Sequence, residues 1–444
     1  MSGPEAPGPR RRRAGALGIT AIWASGYKSV AELERMELRP LTVLAGANSS
    51  GKSSAMQPLL LLKQTLEATF DPGPLLIDGP NVRFTSADQL ATRLAGQPSR
   101  DSFSFGLEVD GTTSYTATLQ IVRGTGLRLV TGAVTDNGGE TTLTPDLSSD
   151  EIKRRLPKEL ARLMETFPGG PQQADYAIAR DRVFLRVGLK GSYQGVTLPW
   201  RAVDSISEHL RSIIHVPGLR GNPLRTYRTT AVGRVFPGTF EPYVASVVHD
   251  WQRTHDPRQQ LLASALHELG LTWKIESRPL DDTQVELRVG RLARSARGGA
   301  FDMVSVADVG FGVSQSLPVV VALLAAQPSQ LVYVEQPEIH LHPRAQVAMA
   351  KVIEGAVLRG IRVVVETHSD LLLLAFQTLI AGGSLPASMV KLHWFTRDSA
   401  GLTSVTSADP DERGSYGPWP EDFSEVDATT GGAYLNAASR HGRA

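Results

Sequence analysis

The feature that most constrains this chain is a turn of small residues, Gly46-Ala47-Asn48-Ser49-Ser50-Gly51-Lys52-Ser53-Ser54. It fits the spacing G-x-x-x-x-G-K-[ST]. Before it, Leu41-Thr42-Val43-Leu44-Ala45 reads as a buried strand; after it, an apolar stripe through Met56, Leu59, Leu60 and Leu66 reads as a helix from Gly51. A strand that turns through glycines into a helix leaves backbone N–H groups pointing inward, and the helix N-terminus adds its positive dipole end. That geometry binds phosphate oxygens. Lys52 is placed to reach β- and γ-phosphates as a point charge, and the Ser53 hydroxyl to ligate Mg2+.

Composition removes other classes. The 444 residues suggest two or three domains, or one large domain with an insertion. Hydrophobic residues at 41% and charged residues at 20% are ordinary for a globular chain, which excludes a wholly disordered or collagen-like one. Lys+Arg 46 against Asp+Glu 45 leaves +1, so any nucleic-acid surface is local. With no cysteine, disulfides, thiolate nucleophiles and Cys-based zinc sites are excluded. The apolar runs Leu59–Leu62 and Leu317–Ala326 are shorter than the roughly 20 residues a membrane span needs, so no membrane partner is expected. Residues 1–16, with Arg10–Arg13, read as a disordered basic tail, and the cytoplasm as the compartment.

The pattern along the chain predicts strands at Ile19–Ala24 and Ala31–Glu37, then antiparallel sheet over 101–145. A helix capped by Ser149 would carry Leu156, Leu160, Leu163 and Phe167. A strand is expected at Arg182–Leu189, helices at Ala202–Ile214, Tyr243–Thr254 and Asp256–Leu269, and a hairpin over Thr272–Gly290. From Ser314 the text alternates: helix Ser314–Ala326, strand Gln330–Val334, helix Pro343–Arg359, strand Ile361–Glu366, helix Asp370–Ile380. That rhythm implies parallel sheet with right-handed crossovers. Residues 408–444 are expected to be partly irregular.

Three further motifs carry chemistry. Leu331-Val332-Tyr333-Val334-Glu335 is an apolar strand that delivers an acid at its C-terminal end, where open α/β sheets bind ligands; Glu335 would hold Mg2+ directly or through water. Gly310-Phe311-Gly312-Val313-Ser314-Gln315 precedes a helix and offers a second anion site. Val363-Val364-Val365-Glu366-Thr367-His368 is a buried strand that delivers a histidine.

In this order and spacing, these motifs resemble ABC-type ATPase heads of the RecF/SMC-like branch, which is grouped with AAA-type ATPases. That branch includes anti-phage defence ATPases and the ATPase half of overcoming-lysogenization-defect nucleases. Gly26-Tyr27-Lys28-Ser29, Glu335-Gln336-Pro337-Glu338-Ile339-His340-Leu341-His342-Pro343 and the tail Trp419-Pro420-Glu421 carry the likeness further. The likeness covers about the first 70 residues and roughly 300–375. It implies an α/β fold: a P-loop NTPase of ABC-head type with an N-terminal antiparallel β subdomain and an inserted α+β region. The divisions expected are an ATPase lobe at 17–95, the insertion at 96–300, a second lobe at 301–397 and a tail at 398–444.

The resemblance also implies a mechanism. Such heads dimerise head to tail around two ATP molecules with Mg2+. Gly46, Asn48, Ser49, Ser50, Gly51, Lys52, Ser53 and Ser54 would hold the nucleotide; Gly312, Ser314 and Gln315 of the other copy would complete the site. His368 matches the switch histidine. One departure stands out: the second acid of the usual pair is Gln336, which cannot accept a proton, so water orientation would fall to Glu338 or His368, or hydrolysis would be slow. Gln64 and Gln89 are both candidates for the Q-loop glutamine.

Arg211, Arg220, Arg225, Arg228 and Arg234, with Tyr227 among them, are either a surface for nucleic-acid phosphate or a solvated face or intramolecular pairs with Glu/Asp elsewhere, and a partner protein could use the same patch; Arg288, Arg291, Arg294 and Arg297 form a second cluster. No nuclease motif follows His368, so nuclease or toxin activity would belong to a partner effector protein. The expected function is an ATP-hydrolysing switch that gates nucleic acid or an effector, in anti-phage defence or DNA maintenance. The alternatives are a non-hydrolysing, ATP-dependent assembly scaffold and a DNA-repair loader acting alone.

Overall fold

The computed structural model describes residues 17–93, 100–166, 170–190, 197–291 and 302–417. The basic tail, Phe167, Arg294, Arg297 and the Trp419-Pro420-Glu421 motif lie outside them.

The central sheet runs in the order Ile214–Val216, Leu331–Glu335, Arg362–Thr367, Leu41–Gly46, Val390–Arg397, Thr403–Ala408. All its neighbours pair in parallel except the last two strands, which form an antiparallel hairpin. Strands such as Val363-Val364-Val365 are continuously apolar because both faces are covered. On one face, Leu41, Val43, Val332, Val334, Val363 and Val365 join a core with the helices Val244–Thr254, Phe311–Ala325, Pro343–Leu358 and Asp370–Ala381. On the other, Leu44, Tyr333, Val364 and Phe395 pack with the helix Lys52–Glu67 and a second, antiparallel sheet. That sheet has the order Val30–Glu37, Ile19–Tyr27, Ser102–Val109, Thr113–Val122, Gly126–Asp136, Gly139–Leu143. Smaller pieces are the hairpin Tyr176–Asp181/Phe184–Leu189 and a sheet of Tyr227–Arg228, Gln284–Gly290, Ile275–Pro279 and Met303–Ser305. Among the described residues, no helix is long and apolar enough to cross a membrane.

Several expected elements differ. The helix expected from Ser149 is two, Ser149–Arg155 and Lys158–Met164, because Pro157 cannot continue the first. Its cap is Ser148, in a capping box with Glu151, while the Ser149 hydroxyl accepts from the Tyr176 N–H. The helix expected to reach Ile214 stops at Arg211, and Ile214–Val216 is instead an edge strand of the central sheet. The helix expected from Ser314 starts at Phe311, with Gly310 as its N-cap. The expected 96–300 insertion supplies strands to both large sheets, and a boundary at 397/398 falls inside the hairpin Val390–Arg397/Thr403–Ala408. Alternation announces a strand but not its distant partner.

His393 locks that hairpin to the antiparallel sheet. Its Nε2 lies 2.8 Å from the Glu37 carbonyl, so Nε2 carries the proton, and Nδ1, 2.8 Å from Ser407 Oγ, accepts. Burial holds the ring neutral, with its pKa down to about 4. Between about 4 and the ordinary 6.5, the unfolded chain binds the extra proton, so this contribution is full above 6.5 and lost as pH falls through 4. In acid titrations of denaturation midpoint, His393→Gln is expected to flatten that slope. Leu44, fully buried between the central sheet and the Lys52–Glu67 helix, gives a second expectation: Leu44→Ala should cost about 2–5 kcal/mol in denaturant unfolding.

Candidate nucleotide-binding site

The phosphate turn is built on close backbone approach. Gly46 has φ +141°, and a Cβ there would collide with the Phe395 carbonyl oxygen. Gly51 has φ +105°, and a Cβ there would collide with Thr403 Oγ1. Thr403 braces the turn from behind, with its hydroxyl 2.8 Å from both the Ser50 carbonyl and the Ser29 hydroxyl. Lys52 folds back over the loop and donates to the carbonyls of Gly46 (2.9 Å) and Ala47 (2.8 Å). Burial lowers its pKa, opposed by the charges of Glu366 and Glu338. The Lys52–Glu67 helix has no side-chain cap and no acid in its first turn, so its N–H groups are free to meet an anion.

A cavity of about 770 Å3 opens over this turn. Asn48–Ser54 line it with Lys28, Gln57, Gln89, Gln336, Glu366, His368 and Arg397. Gln89 therefore remains the Q-loop candidate. Gln64 does not: it is buried and bonds the backbone of Leu76, Asn81 and Val82 as a structural staple. Lys28 donates to Gln57 Oε1 at 3.0 Å.

The acids are distributed differently from the sequence expectation. Glu335 ends its strand as expected but is held by His215 Nε2 at 3.2 Å and the Gly218 N–H at 2.9 Å. His215 stacks on Tyr333, and Asn81 Nδ2 lies 3.1 Å from its Nδ1. Burial pushes the Glu335 carboxyl up, but His215 and Gly218 outweigh it and hold the pKa below the usual range. The Ser53 hydroxyl lies not on Glu335 but on Glu366, 2.9 and 3.0 Å from its two oxygens. Glu335 and Glu366 are register partners on parallel strands, so their side chains share a face. A serine hydroxyl before two such carboxylates is the hard oxygen chemistry that Mg2+ takes.

Gln336 lines the cavity in a left-handed conformation, φ +45°, with its N–H on the Glu366 carbonyl. Glu338 does not line it. Its Oε1 accepts from the Thr367 hydroxyl (2.7 Å) and the His368 N–H (2.8 Å), while Oε2 is buried without a partner among the described residues. Burial raises its pKa. Glu338 thus braces the His368 loop from behind instead of facing the phosphates. Burial, then the Lys52 charge, lowers the pKa of His368.

Gly312, Ser314 and Gln315 do not reach the phosphate cavity of their own chain. They open the Phe311–Ala325 helix beside the loop after Glu338, where the Phe311 and His340 rings are 5.5 Å apart. Ser314 lines a separate cavity of about 720 Å3 that shares no residue with the first. Arg220 joins the two regions: buried, it donates to the carbonyls of Gln315 (3.0 Å), Glu335 (2.6 Å) and Gln336 (3.2 Å). Burial pulls its pKa down to about 10.

The basic segments are dispersed. Arg220 is buried, Arg225 forms a bidentate pair with Asp308, and Arg228 and Arg234 are exposed. Arg288 donates to the Met303 carbonyl.

Residues 237–375 match a family described as AAA domain, putative AbiEii toxin, Type IV TA system. The matched segment holds the Ser314 helix start, Glu335 and His368. No curated protein matches the chain. Similar solved structures include an SMC head bound to the C-winged helix domain of ScpA, at 13% identity and TM-score 0.47 over 88% of this chain and 98% of that one. The SMC head domain from Thermotoga maritima is similar at 12% identity and TM-score 0.41, over 88% and 100%. An Smc head with an extended coiled coil, bound to the C-terminal domain of ScpA and derived from Pyrococcus furiosus, is similar at 10% and 0.41, over 88% and 96%. The phosphate turn at the end of a central parallel strand and the start of its helix is the α/β layout of a P-loop fold, and residues 237–375 are similar to an AAA domain.

Two expectations follow. Arg220→Met removes three charge-assisted bonds to buried carbonyls and should cost at least about 3 kcal/mol in denaturant unfolding. Glu338→Gln keeps an acceptor for Thr367 and His368 and should leave nucleotide affinity within about twofold, whereas Glu338→Ala should weaken it; equilibrium titration with a fluorescent ATP analogue checks both.

Proposed function

We propose that the chain is an ATP-driven switch, two copies of which close head to tail on two Mg-ATP molecules. The observation that carries this reading is the separation of the cavity over Lys52 from the Ser314 helix start on the same chain. In this reading each is a half-site that takes its complement from a second copy. Gly46 and Asn48–Ser54 would hold the triphosphate, and Lys52 its β- and γ-oxygens. Ser53, with the acids behind it, would hold Mg2+, which neutralises charge on the phosphates. Gly312 and Ser314 of the second copy would donate to the γ-phosphate.

Hydrolysis is slow in this reading. Gln336 occupies the cavity where a second acid is usual, and an amide orients water but takes no proton. His368, which lines the same cavity, is the group left to sense the γ-phosphate and orient the attacking water. The result in this reading is a long-lived ATP-bound dimer. Dispersal of the Arg211–Arg234 segment favours an effector protein over nucleic acid as what the closed dimer engages. Gln336 also supports the second reading, a scaffold that binds ATP without turnover.

Sedimentation velocity tests closure. Mg-ATP should convert wild-type monomer to dimer, and Lys52→Ala and Ser314→Arg should each abolish the shift. A sedimentation profile that ignores ATP removes the proposal. Single-turnover phosphate release separates switch from scaffold: slow release that vanishes in Lys52→Ala supports the switch.

A further inference from the structure

We infer that Glu366 is the carboxylate that grips the nucleotide's divalent cation together with Ser53. This rests on the nucleotide-binding reading above and gives Glu366, expected only as part of the strand that delivers His368, the role expected of Glu335. The Ser53 hydroxyl is close to both Glu366 oxygens, at 2.9 and 3.0 Å. Glu366 is only 5% exposed, yet it lines the cavity over the phosphate turn; Glu335 does not. Both Glu335 oxygens are already committed, Oε1 to His215 and Oε2 to the Gly218 N–H. Glu366 makes one hydrogen bond from behind, 2.7 Å from the Tyr333 hydroxyl, which fixes the carboxylate plane and leaves its other lone pairs toward Ser53.

The placement has a simple topological origin. Glu335 and Glu366 occupy one register level of adjacent parallel strands, and the Arg362–Thr367 strand is the direct neighbour of Leu41–Gly46, which runs into the phosphate turn. An acid on Glu366 is therefore one strand nearer to Ser53 than an acid on Glu335. A hard dication with oxygen ligands is served by the nearer carboxylate, whose partner on the cavity side is the Ser53 hydroxyl itself. Glu335 contributes negative charge from behind.

The experiment titrates the full chain with a fluorescent ATP analogue, with Mg2+ and with EDTA. Wild type should bind more tightly with Mg2+. Glu366→Gln, which preserves size and can still bond Tyr333 and Ser53, should bind the metal-free analogue as wild type does but lose roughly tenfold or more of the Mg2+-dependent gain. Glu335→Gln should retain most of that gain. Electron paramagnetic resonance of Mn2+ with ATP should show the same ranking. If Glu366→Gln keeps the full gain, or Glu335→Gln takes the loss instead, the inference is overturned. If wild type binds the analogue under neither condition, the nucleotide reading itself fails. Should Glu366→Gln not fold, Tyr333→Phe, which only releases the carboxylate from behind, should reduce the gain by a smaller factor; an unchanged gain counts against Glu366.

Discussion

A lysine folded back over its own loop is the interaction on which this fold's phosphate turn depends. Lys52 reaches the Gly46 and Ala47 carbonyls only because the chain turns sharply through Gly46 and Gly51. Those turns are fixed from behind by the Phe395 carbonyl and the Thr403 side chain. The hairpin that carries both lies beside the Leu41–Gly46 strand, and that strand is buried in two cores at once. Desolvating an ammonium is costly, and the packing of both faces of the sheet offsets it. The phosphate site is consequently preorganised by the same contacts that stabilise the fold.

A second constraint lies at the end of the Leu331–Glu335 strand. The acid, the glutamine and the brace of the histidine loop follow one another within four residues, Glu335 to Glu338, and each is held differently. Arg220 grips the carbonyls of Glu335 and Gln336 and that of Gln315, the residue next to Ser314. One buried side chain therefore ties the Ser314 helix start to the acid end of the same chain. In the proposed dimer, that one side chain would link a nucleotide on the neighbouring copy to the acid end of this chain.

Much of this was legible in the sequence. The turn Gly46–Ser54 announced itself because glycine spacing, lysine and strand–helix context are all local. The βαβ rhythm after residue 311 was equally plain, since buried parallel strands are continuously apolar. What was not legible was non-local. Nothing near Ile214–Val216 says that it borders Leu331–Glu335, and nothing near Arg220 says that it turns inward. In a run of arginines it looked like surface, and only the carbonyls it meets far along the chain show otherwise. Glu366 was visible as an acid in an apolar strand, but its neighbourhood to Ser53 required the sheet order. The helix expected from Ser149 is a smaller case: its apolar spacing continues past Pro157, but the proline ends the helix.

The most direct measurement is complementation between two defective copies. Lys52→Ala lacks a working phosphate loop and Ser314→Arg a working helix start, so their heterodimer contains one site in which both halves are intact. Each variant alone should fail to trap radiolabelled Mg-ATP, and an equimolar mixture should trap it at about one nucleotide per two chains. A mixture that traps no more than its components, or a Ser314→Arg variant that traps ATP as wild type does, would contradict a nucleotide shared between two copies.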